Sequence, residues 1–481
     1  MGMALLPILL PLAMAVVVFL TPSKLWRPRL LAVTALAHFL LTVALLAGRA
    51  DVDAGIGGWL RLDAPGRLLL GLVSVLFLCC AAYSVGYLRY RVERENRRFC
   101  ACLLVVLGTM SLVAYAQHLG LLWVGVEATT LATAPLIYFN RTPRSIEATW
   151  KYLVLSSIGI AMALFGSFFV GYASLVGGGG ASLLFPNLLA GAETLSRPWL
   201  RAGFTLLLIG YGTKMGLAPM HTWKPDAYGE APGVVGAVLA GGMTSCAFLA
   251  LARLTQIASA AGEAEYVHRL LILIGLTSRA VAGALLLGQR DLKRMLAYSS
   301  VEQMGVLALA TGLGAGAGFA TLLHMVNNAL AKGAMFLTVG NIHRAFGGKT
   351  TAEVRGALSR LPVSGTLFLL AFFAVTGSPP FGLFVSELLI LKSIFAAERW
   401  LVGGLFLGFL FLVFAGMGAT SLEALQGRAP RSARRSPYRD RFATVAPALV
   451  LLGLVLLFGL RLPDAVHQLV AEAAAALEAG R

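Results

Sequence analysis

Residues 121–139 read LLWVGVEATTLATAPLIYF, an apolar run in which Glu127 is the only charged side chain. About 20 apolar residues cross the hydrocarbon core of a bilayer as an α-helix. A membrane-spanning strand needs only about 10 residues and alternates apolar with polar side chains, which this run does not do. The window therefore predicts a membrane-spanning helix that carries a carboxylate near the middle of the bilayer.

The composition extends this prediction to the whole chain. Of 481 residues, 58% are hydrophobic and 13% are charged, whereas soluble domains carry about a quarter charged residues. We therefore predict an all-α polytopic membrane protein. The net charge of +17 is spread over alternate loops, which argues against a nucleic-acid-binding face. The N-terminal run MGMALLPILLPLAMAVVVFL lacks the basic segment of a cleaved signal, so we expect a retained first helix.

Cofactor and metal motifs are missing from the sequence. The five cysteines lie in apolar segments without a CxxC pair, and the histidines lack metal-ligand spacing. The glycine run at 312–318 follows no predicted strand, so it is not read as a dinucleotide-binding loop. We expect no bound cofactor, no metal and no catalytic chemistry by this chain alone.

Hydropathy predicts about 14 membrane spans. The predicted spans are 3–20, 30–48, 68–88, 99–117, 119–138, 152–175, 203–220, 233–257, 270–288, 295–313, 319–342, 363–396, 401–423 and 443–461. The odd-numbered loops carry roughly 25 basic residues, one of which is Lys224. The even loops and the C-terminus carry only about 10. Because basic loops stay in the cytoplasm, both termini are predicted on the periplasmic side of the inner membrane.

Four ionisable residues lie well inside apolar windows: Glu127, Lys214, Lys332 and Glu387. A charge at the bilayer centre costs at least about 2.5–3.5 kcal/mol, so such residues serve a function or are cancelled by a partner. One interpretation is structural salt bridges, for example between Glu127 and Lys214. The other is a proton relay in which lysines and carboxylates exchange protons through internal water. The histidines predicted to bridge such a relay are His221, His324 and His343.

Helix breakers accompany two of these residues. Gly216 and Pro219 follow Lys214, and the segment Gly377–Pro380 precedes Glu387. Broken helices at corresponding places in two halves indicate an inverted repeat with a transport path at the midplane. We predict breaks in spans 7 and 12 and two inverted five-helix repeats. The expected units are the N-terminal helices 1–98, the repeats 99–257 and 268–423, and the segment 424–481, with its basic loop, last span and tail.

Five segments resemble the antiporter-like, proton-conducting membrane subunits of respiratory complex I, Mrp-type antiporters and group 4 hydrogenases. The segments are WVGVEATTL, GTKMGLAPMHTWKPDAYGEAP, DLKRMLAYSSVEQMG, HMVNNALAKGAMFL and GSPPFGLFVSELLIL. The runs HLGLLWVGVEATTL and EATWKYLVLSSIGIAMALFG look most like component F of hydrogenase-4. The resemblance implies partners: other membrane subunits of the same complex and peripheral redox subunits.

The resemblance also implies roles for single residues. Glu127 and Lys214 match the coupled pair of the first half-channel, Lys332 the central lysine, and Glu387 the terminal site. Two positions depart from the pattern. Ser245 stands near the place where complex I relatives often have a further lysine. Gln303 stands where relatives often have histidine.

Three functions remain open at this stage. The first is a proton-translocating subunit of a redox-driven complex of the hydrogenase-4, formate hydrogenlyase or complex I type. The second is an Mrp-like cation/proton antiporter or ion-uptake module without redox coupling. The third is a membrane scaffold whose ion path has lost its function.

Overall fold

The structure, a computed structural model, describes residues 2–48, 52–53, 57–91, 93–314, 316–430 and 436–479. Three arginines that contribute to the predicted basic loop at 428–441, Arg431, Arg434 and Arg435, lie outside the described residues.

The described part of the chain is helical almost throughout. A single two-stranded antiparallel ribbon pairs β1 (Val52–Asp53) with β2 (Arg61–Leu62). The helices are α1 (Gly2–Leu20), α2 (Trp26–Ala47), α3 (Ala64–Arg89), α4 (Arg97–Tyr115), α5 (Leu119–Ile137), α6 (Pro143–Val176), α7 (Phe185–Ala190), α8 (Arg197–Met215), α9 (Trp223–Glu230), α10 (Gly233–Ala237), α11 (Thr244–Ala258), α12 (Ala264–Leu286), α13 (Leu292–Thr311), α14 (Gly318–Phe346), α15 (Ala357–Arg360), α16 (Pro362–Val375), α17 (Gly382–Ala396), α18 (Trp400–Leu425), α19 (Phe442–Leu460) and α20 (Asp464–Glu478).

Short polar side chains fix several of the helix starts. Asp63 caps α3 by accepting a hydrogen bond from the Gly66 backbone at 3.0 Å. Thr142 and Ser145 form a reciprocal capping box at the start of α6. These caps satisfy backbone N–H groups that a helix start leaves without partners, so they set where each helix begins.

Eight helical segments in the described residues are long and apolar enough to cross a membrane. They are Trp26–Ala47, Ala64–Arg89, Arg97–Tyr115, Leu119–Asn140, Pro143–Val176, Gly233–Leu286, Trp400–Leu425 and Phe442–Leu460. The segment Gly233–Leu286 has 54 residues and bends where Gly262 adopts a left-handed φ of 79°. At 1.5 Å per residue it is far longer than the roughly 30 Å of one crossing.

The most polar helices lie in the interior. On α13 and α14, polar and charged side chains such as Glu302, Asn327 and Lys332 are buried together with the apolar ones. The apolar surface suited to contact with lipid lies instead on α6 and α18, where large apolar side chains are exposed. The bundle therefore turns its polar helices inward, the reverse of a soluble protein.

Small residues let α6 and α8 approach closely. A Cβ added to Gly210 would lie 2.7 Å from the Ala163 backbone nitrogen, and one added to Gly166 would lie 2.8 Å from the Gly203 carbonyl oxygen. Close backbone contact at small residues is a usual way to join helices in lipid. This contact fixes α8, and with it Lys214, against α6.

Two helices are interrupted where glycine and proline predicted a break. Helix α8 ends at Met215, and Gly216 follows with a left-handed φ of 74°. Helix α16 ends at Val375, Gly377 has a φ of 64°, and α17 begins only at Gly382. Each interruption leaves a non-helical segment beside buried ionisable side chains.

Candidate functional site

The first cluster of the candidate site joins α5 to α8. Glu127 is half-buried on α5, and its Oε2 accepts a hydrogen bond from the Thr130 hydroxyl at 3.0 Å. Lys214 is fully buried near the end of α8, and its Nζ donates to the same hydroxyl oxygen. The described residues contain no direct ion pair between Glu127 and Lys214. Thr130 therefore connects the two predicted site residues.

One aromatic ring lies against the ammonium group of Lys214. Its Nζ lies 5.2 Å from the centroid of the Tyr152 ring. The Tyr152 hydroxyl is 2.7 Å from the Thr133 hydroxyl, and the Tyr152 ring centroid lies 5.1 Å from that of Trp223. Such faces attract a cation without neutralising it, so Lys214 is held by a hydroxyl and a π-face.

Lys332 forms the second cluster with residues of α12 and α13. Its Nζ donates to the Ser299 hydroxyl at 2.5 Å, and it is close enough to Glu302 for an electrostatic attraction. Glu302 Oε1 lies 3.2 Å from Nη2 of Arg279, and both side chains are fully buried. The Arg279 guanidinium also covers the Phe406 ring at 3.8 Å. The central lysine therefore shares one carboxylate with a buried arginine.

The third cluster lies where α17 follows the interrupted helix. Glu387 is 4% exposed, and its Oε1 accepts from Nε2 of Gln303 at 3.4 Å. The Oε1 atom of Gln303 is 2.6 Å from Nε2 of His324, and Nδ1 of His324 is 3.0 Å from the Ser386 hydroxyl. Gln303 thus connects two predicted site residues. The other Glu387 oxygen has no hydrogen-bond partner among the described residues.

The two remaining histidines are placed differently. His221 lies in the segment after α8, with its ring centroid 6.4 Å from that of Tyr298 and its Nδ1 unpartnered among the described residues. His343 lines a cavity of about 990 Å³ at the basic surface. In that cavity Nζ of Lys349 contacts Glu230 at 2.7 Å and Asp291 at 3.2 Å. His343 therefore stands among surface ion pairs, and in the described chain it makes no hydrogen bond to the Lys332 cluster.

Sequence reasoning missed several buried ionisable residues, and three of them lie at or beside the clusters: Arg279, Glu302 and Lys224. Arg279 and Glu302 lie inside predicted spans, and the criterion of a charge within an apolar window would have found both. The sequence places Lys224 in an odd-numbered loop and gives no reason to expect its side chain to be buried, whereas the structure buries it fully. No sequence signal separates Lys224 from a loop lysine, since the break after α8 looks like a loop in the sequence.

The three clusters bring proton donors and acceptors together at separate places in the interior. Carboxylates, amines, imidazole and hydroxyls can each take or release a proton or reorient a hydrogen bond. Within the described residues, no cluster of three or more metal-ligating side chains occurs. Transfer of protons is the chemistry that these side chains support.

Residues 116–413 match the family described as NADH:quinone oxidoreductase/Mrp antiporter, TM. The chain is 35% identical over 379 residues to the hydrogenase-4 component F homolog of Methylacidiphilum infernorum (isolate V4), which covers 77% of this chain and 79% of that relative.

Two solved structures share the fold. One is a chain of the membrane-bound sulfane sulfur reductase, an archaeal respiratory membrane complex, with a TM-score of 0.89, 23% identity, and coverage of 99% of this chain and 97% of that chain. The other belongs to the Mrp complex from Dietzia sp. DQ12-45-1b, with a TM-score of 0.87, 19% identity and the same coverages, 99% and 97%. The family match spans well over half of the chain, so this chain belongs to the NADH:quinone oxidoreductase/Mrp antiporter family of membrane proteins.

Proposed function

We propose that this chain translocates protons as one membrane subunit of a redox-driven complex of the hydrogenase-4, formate hydrogenlyase or complex I type. The observation that carries the proposal is the set of buried ionisable side chains linked by hydroxyl and amide groups. Burying so many charges is costly, and apolar packing would hold the helices together at least as well. A role in proton transfer would explain why these ionisable residues are buried.

The proposed architecture follows the predicted one. It has 14 spans, with both termini on the periplasmic side of the inner membrane, and two inverted repeats, 99–257 and 268–423. The N-terminal helices 1–98 precede the repeats and 424–481 follows them. The interrupted helices support this division, because α8 in the first repeat and α16–α17 in the second lie beside corresponding buried charges.

Within each half, proton transfer would depend on a carboxylate whose charge controls the protonation state of a lysine. When Glu127 is ionised, it favours the protonated state of Lys214, and loss of that influence would release the lysine proton. Glu302 would act in the same way on Lys332. Gln303, His324 and Glu387 would complete the route, with His221 and His343 proposed as groups near its entrance.

A second candidate is cation/proton antiport without redox chemistry. The observation that favours it is the shared fold with the Mrp complex, at a TM-score of 0.87. The two candidates differ in their partners. The proposed function requires other membrane subunits and peripheral redox subunits, whereas an antiporter would assemble with membrane subunits alone.

Affinity purification of the tagged chain from its native membranes separates the two candidates. Copurification of metal- or flavin-containing peripheral subunits supports redox coupling. Recovery of membrane subunits alone, together with sodium-driven proton movement in vesicles, would replace the proposal with the antiporter.

Proton uptake by inverted membrane vesicles tests the relay itself. Hydrogen, formate, reduced ferredoxin and NADH are supplied in turn, and acidification is followed with a fluorescent dye. We expect Lys214→Ala to abolish uptake while the complex still assembles, and Lys392→Ala to behave as wild type. Lys392 is the matched control because it is exposed on α17. Normal proton uptake by the assembled Lys214→Ala complex would show that this chain acts only as a scaffold and does not conduct protons.

A further inference from the structure

Lys224 is a buried lysine that the three clusters do not include. It lies at the start of α9, directly after the interruption that follows Lys214. The side chain is fully buried, and its Nζ donates to the Ser300 hydroxyl at 3.0 Å. Among the described residues it forms no salt bridge. A buried ammonium group without a carboxylate is unfavourable, and an apolar side chain would serve packing better.

The interruption makes room for this lysine. A Cβ added to Gly216 would lie 3.0 Å from Nζ of Lys224, which is tighter than ordinary van der Waals contact. Gly216 also has a left-handed φ of 74°, a conformation that glycine adopts without a steric penalty. The broken helix therefore places Lys224 against the backbone that immediately follows Lys214.

Consecutive serines of α13 contact Lys224 and the central lysine, one serine to each lysine. Ser300 accepts from Lys224, and Ser299, its neighbour on α13, accepts from Lys332 at 2.5 Å. Because the two lysines bond to adjacent residues of one helix, their ammonium groups lie on neighbouring positions of α13, and the Lys332 charge disfavours the charge on Lys224. Two like charges so close in the interior disfavour double protonation, so a proton on one lysine opposes a proton on the other.

His221 is the titratable group beside Lys224, whose backbone N–H donates to the His221 carbonyl at 2.9 Å and whose ammonium charge acts on the imidazole. The aromatic groups that face Lys224 are uncharged. Tyr228 presents its ring with the centroid 5.7 Å from Nζ, and Trp223 packs beside that ring at 6.0 Å between centroids. Ser245, on α11, is uncharged, and its hydroxyl donates to the Gly241 carbonyl of its own helical segment at 2.6 Å. Lys224 is thus an ionisable side chain that lies against the break following Lys214 and contacts the serine next to the partner of Lys332.

We propose that Lys224 is a proton-carrying residue between the two half-channels. The inference rests on the proposed function. The Lys214 ammonium loses a proton, the Lys224 amine gains it through internal water, and Lys224 then returns to the amine as Lys332 becomes protonated. The Ser300 and Ser299 hydroxyls each accept one proton and release another, so both end unchanged. Repulsion between the two lysines opposes protonation of both at once, so the transfer moves one proton at a time.

Vesicle experiments on the assembled complex test this role with variants that separate charge from proton exchange. Lys224→Gln removes the charge, whereas Lys224→Arg keeps it but cannot release a proton, because arginine stays protonated in proteins. We expect both to lower proton uptake per electron about tenfold or more, as is usual when a proton-transfer group is lost. Lys224→His keeps an exchangeable proton, and we expect it to retain a substantial part of the uptake.

Two results would overturn the inference: wild-type uptake in the Gln variant, or full uptake in the Arg variant, which would mean that only the charge is needed. If the Lys224 variants do not assemble, the Ser300→Ala variant tests the role of Lys224 instead. Reduced uptake supports the role, and normal uptake rejects it. The control is Ser167→Ala, which removes a buried hydroxyl that bonds to its own helix. Lys214→Ala is measured in parallel, because normal uptake there overturns the proposed function itself, whereas a loss confined to Lys214→Ala overturns only the role of Lys224.

Discussion

Single residues in this protein hold buried charge in two different ways. Arg279 and Glu302 contact directly at 3.2 Å, and the arginine cannot give up its proton. Glu127 and Lys214 are instead connected through the hydroxyl of Thr130. A direct pair with arginine fixes a charge in place. A hydroxyl-bridged pair can pass a proton from one group to the other, so Thr130 belongs to the proposed path.

Replacing this threonine with valine tests that conclusion. Thr130→Val keeps the shape of the side chain but removes the hydroxyl that both Glu127 and Lys214 contact. Loss of a hydrogen bond to charged groups costs about 1.5–3 kcal/mol, which corresponds to about a tenfold or greater fall in rate. We therefore expect proton uptake by vesicles to fall about tenfold, again with the complex assembled.

The matched control for this substitution is Thr42→Val on α2. Thr42 is also buried, but its hydroxyl donates only to the His38 carbonyl of its own helix at 2.8 Å. Equal losses in the two variants would show that any buried threonine has this effect, and the special role of Thr130 would be withdrawn.

The positions at which α8 and α16 end determine the space available to two ionisable side chains of the site. Ending α8 at Met215 opens space for Lys224 against Gly216. Ending α16 at Val375 opens space for the Glu387 carboxylate against Gly377. In both places the left-handed glycine contacts an ionisable side chain that follows it in sequence. The two breaks therefore share one feature, which is space for an ionisable side chain beside non-helical backbone.

Substitution of the second glycine tests the purpose of the break. In Gly377→Ala the new Cβ would lie 2.9 Å from the Glu387 carboxylate carbon, and the left-handed backbone would cost about 1–2 kcal/mol for a residue with a Cβ. We expect weaker proton uptake and a lower thermal midpoint of the purified complex. Gly408→Ala on α18 is the control, since nothing lies within 4 Å of its added Cβ. Unchanged uptake in Gly377→Ala would argue against a role for the gap.

The charge pattern of the whole molecule orients it in the membrane. Basic residues concentrate on the odd-numbered loops. Several of them line one large cavity: Arg91, Arg94, Arg144, Arg290 and Arg294. The opposite side of the first repeat carries the glycine-rich connection between α6 and α7. By the positive-inside rule, we propose that this cavity faces the cytoplasm.

Cysteine labelling in intact cells measures this orientation. Ala181→Cys lies in the connection after α6, and Arg144→Cys lies at the start of that helix; both positions are exposed. We expect a membrane-impermeant maleimide to label Ala181→Cys in intact cells and Arg144→Cys only after permeabilisation. The wild-type chain sets the background, because its cysteines are buried apart from the partly exposed Cys102. The opposite labelling pattern would reverse the proposed topology.

The sequence alone was sufficient to identify a helical membrane protein, its family and several of its buried charges. Those conclusions depend on local properties: long apolar windows, charges such as Glu127 and Glu387 within them, and breakers such as Gly216 beside them. Only the tertiary structure decided which groups meet. Lys224 reads as a loop residue, because burial across a helix break depends on how α9 packs against α13. Likewise, the contact of Gln303 with His324 and Glu387 joins three helices that are distant in sequence, and no local pattern encodes such a meeting.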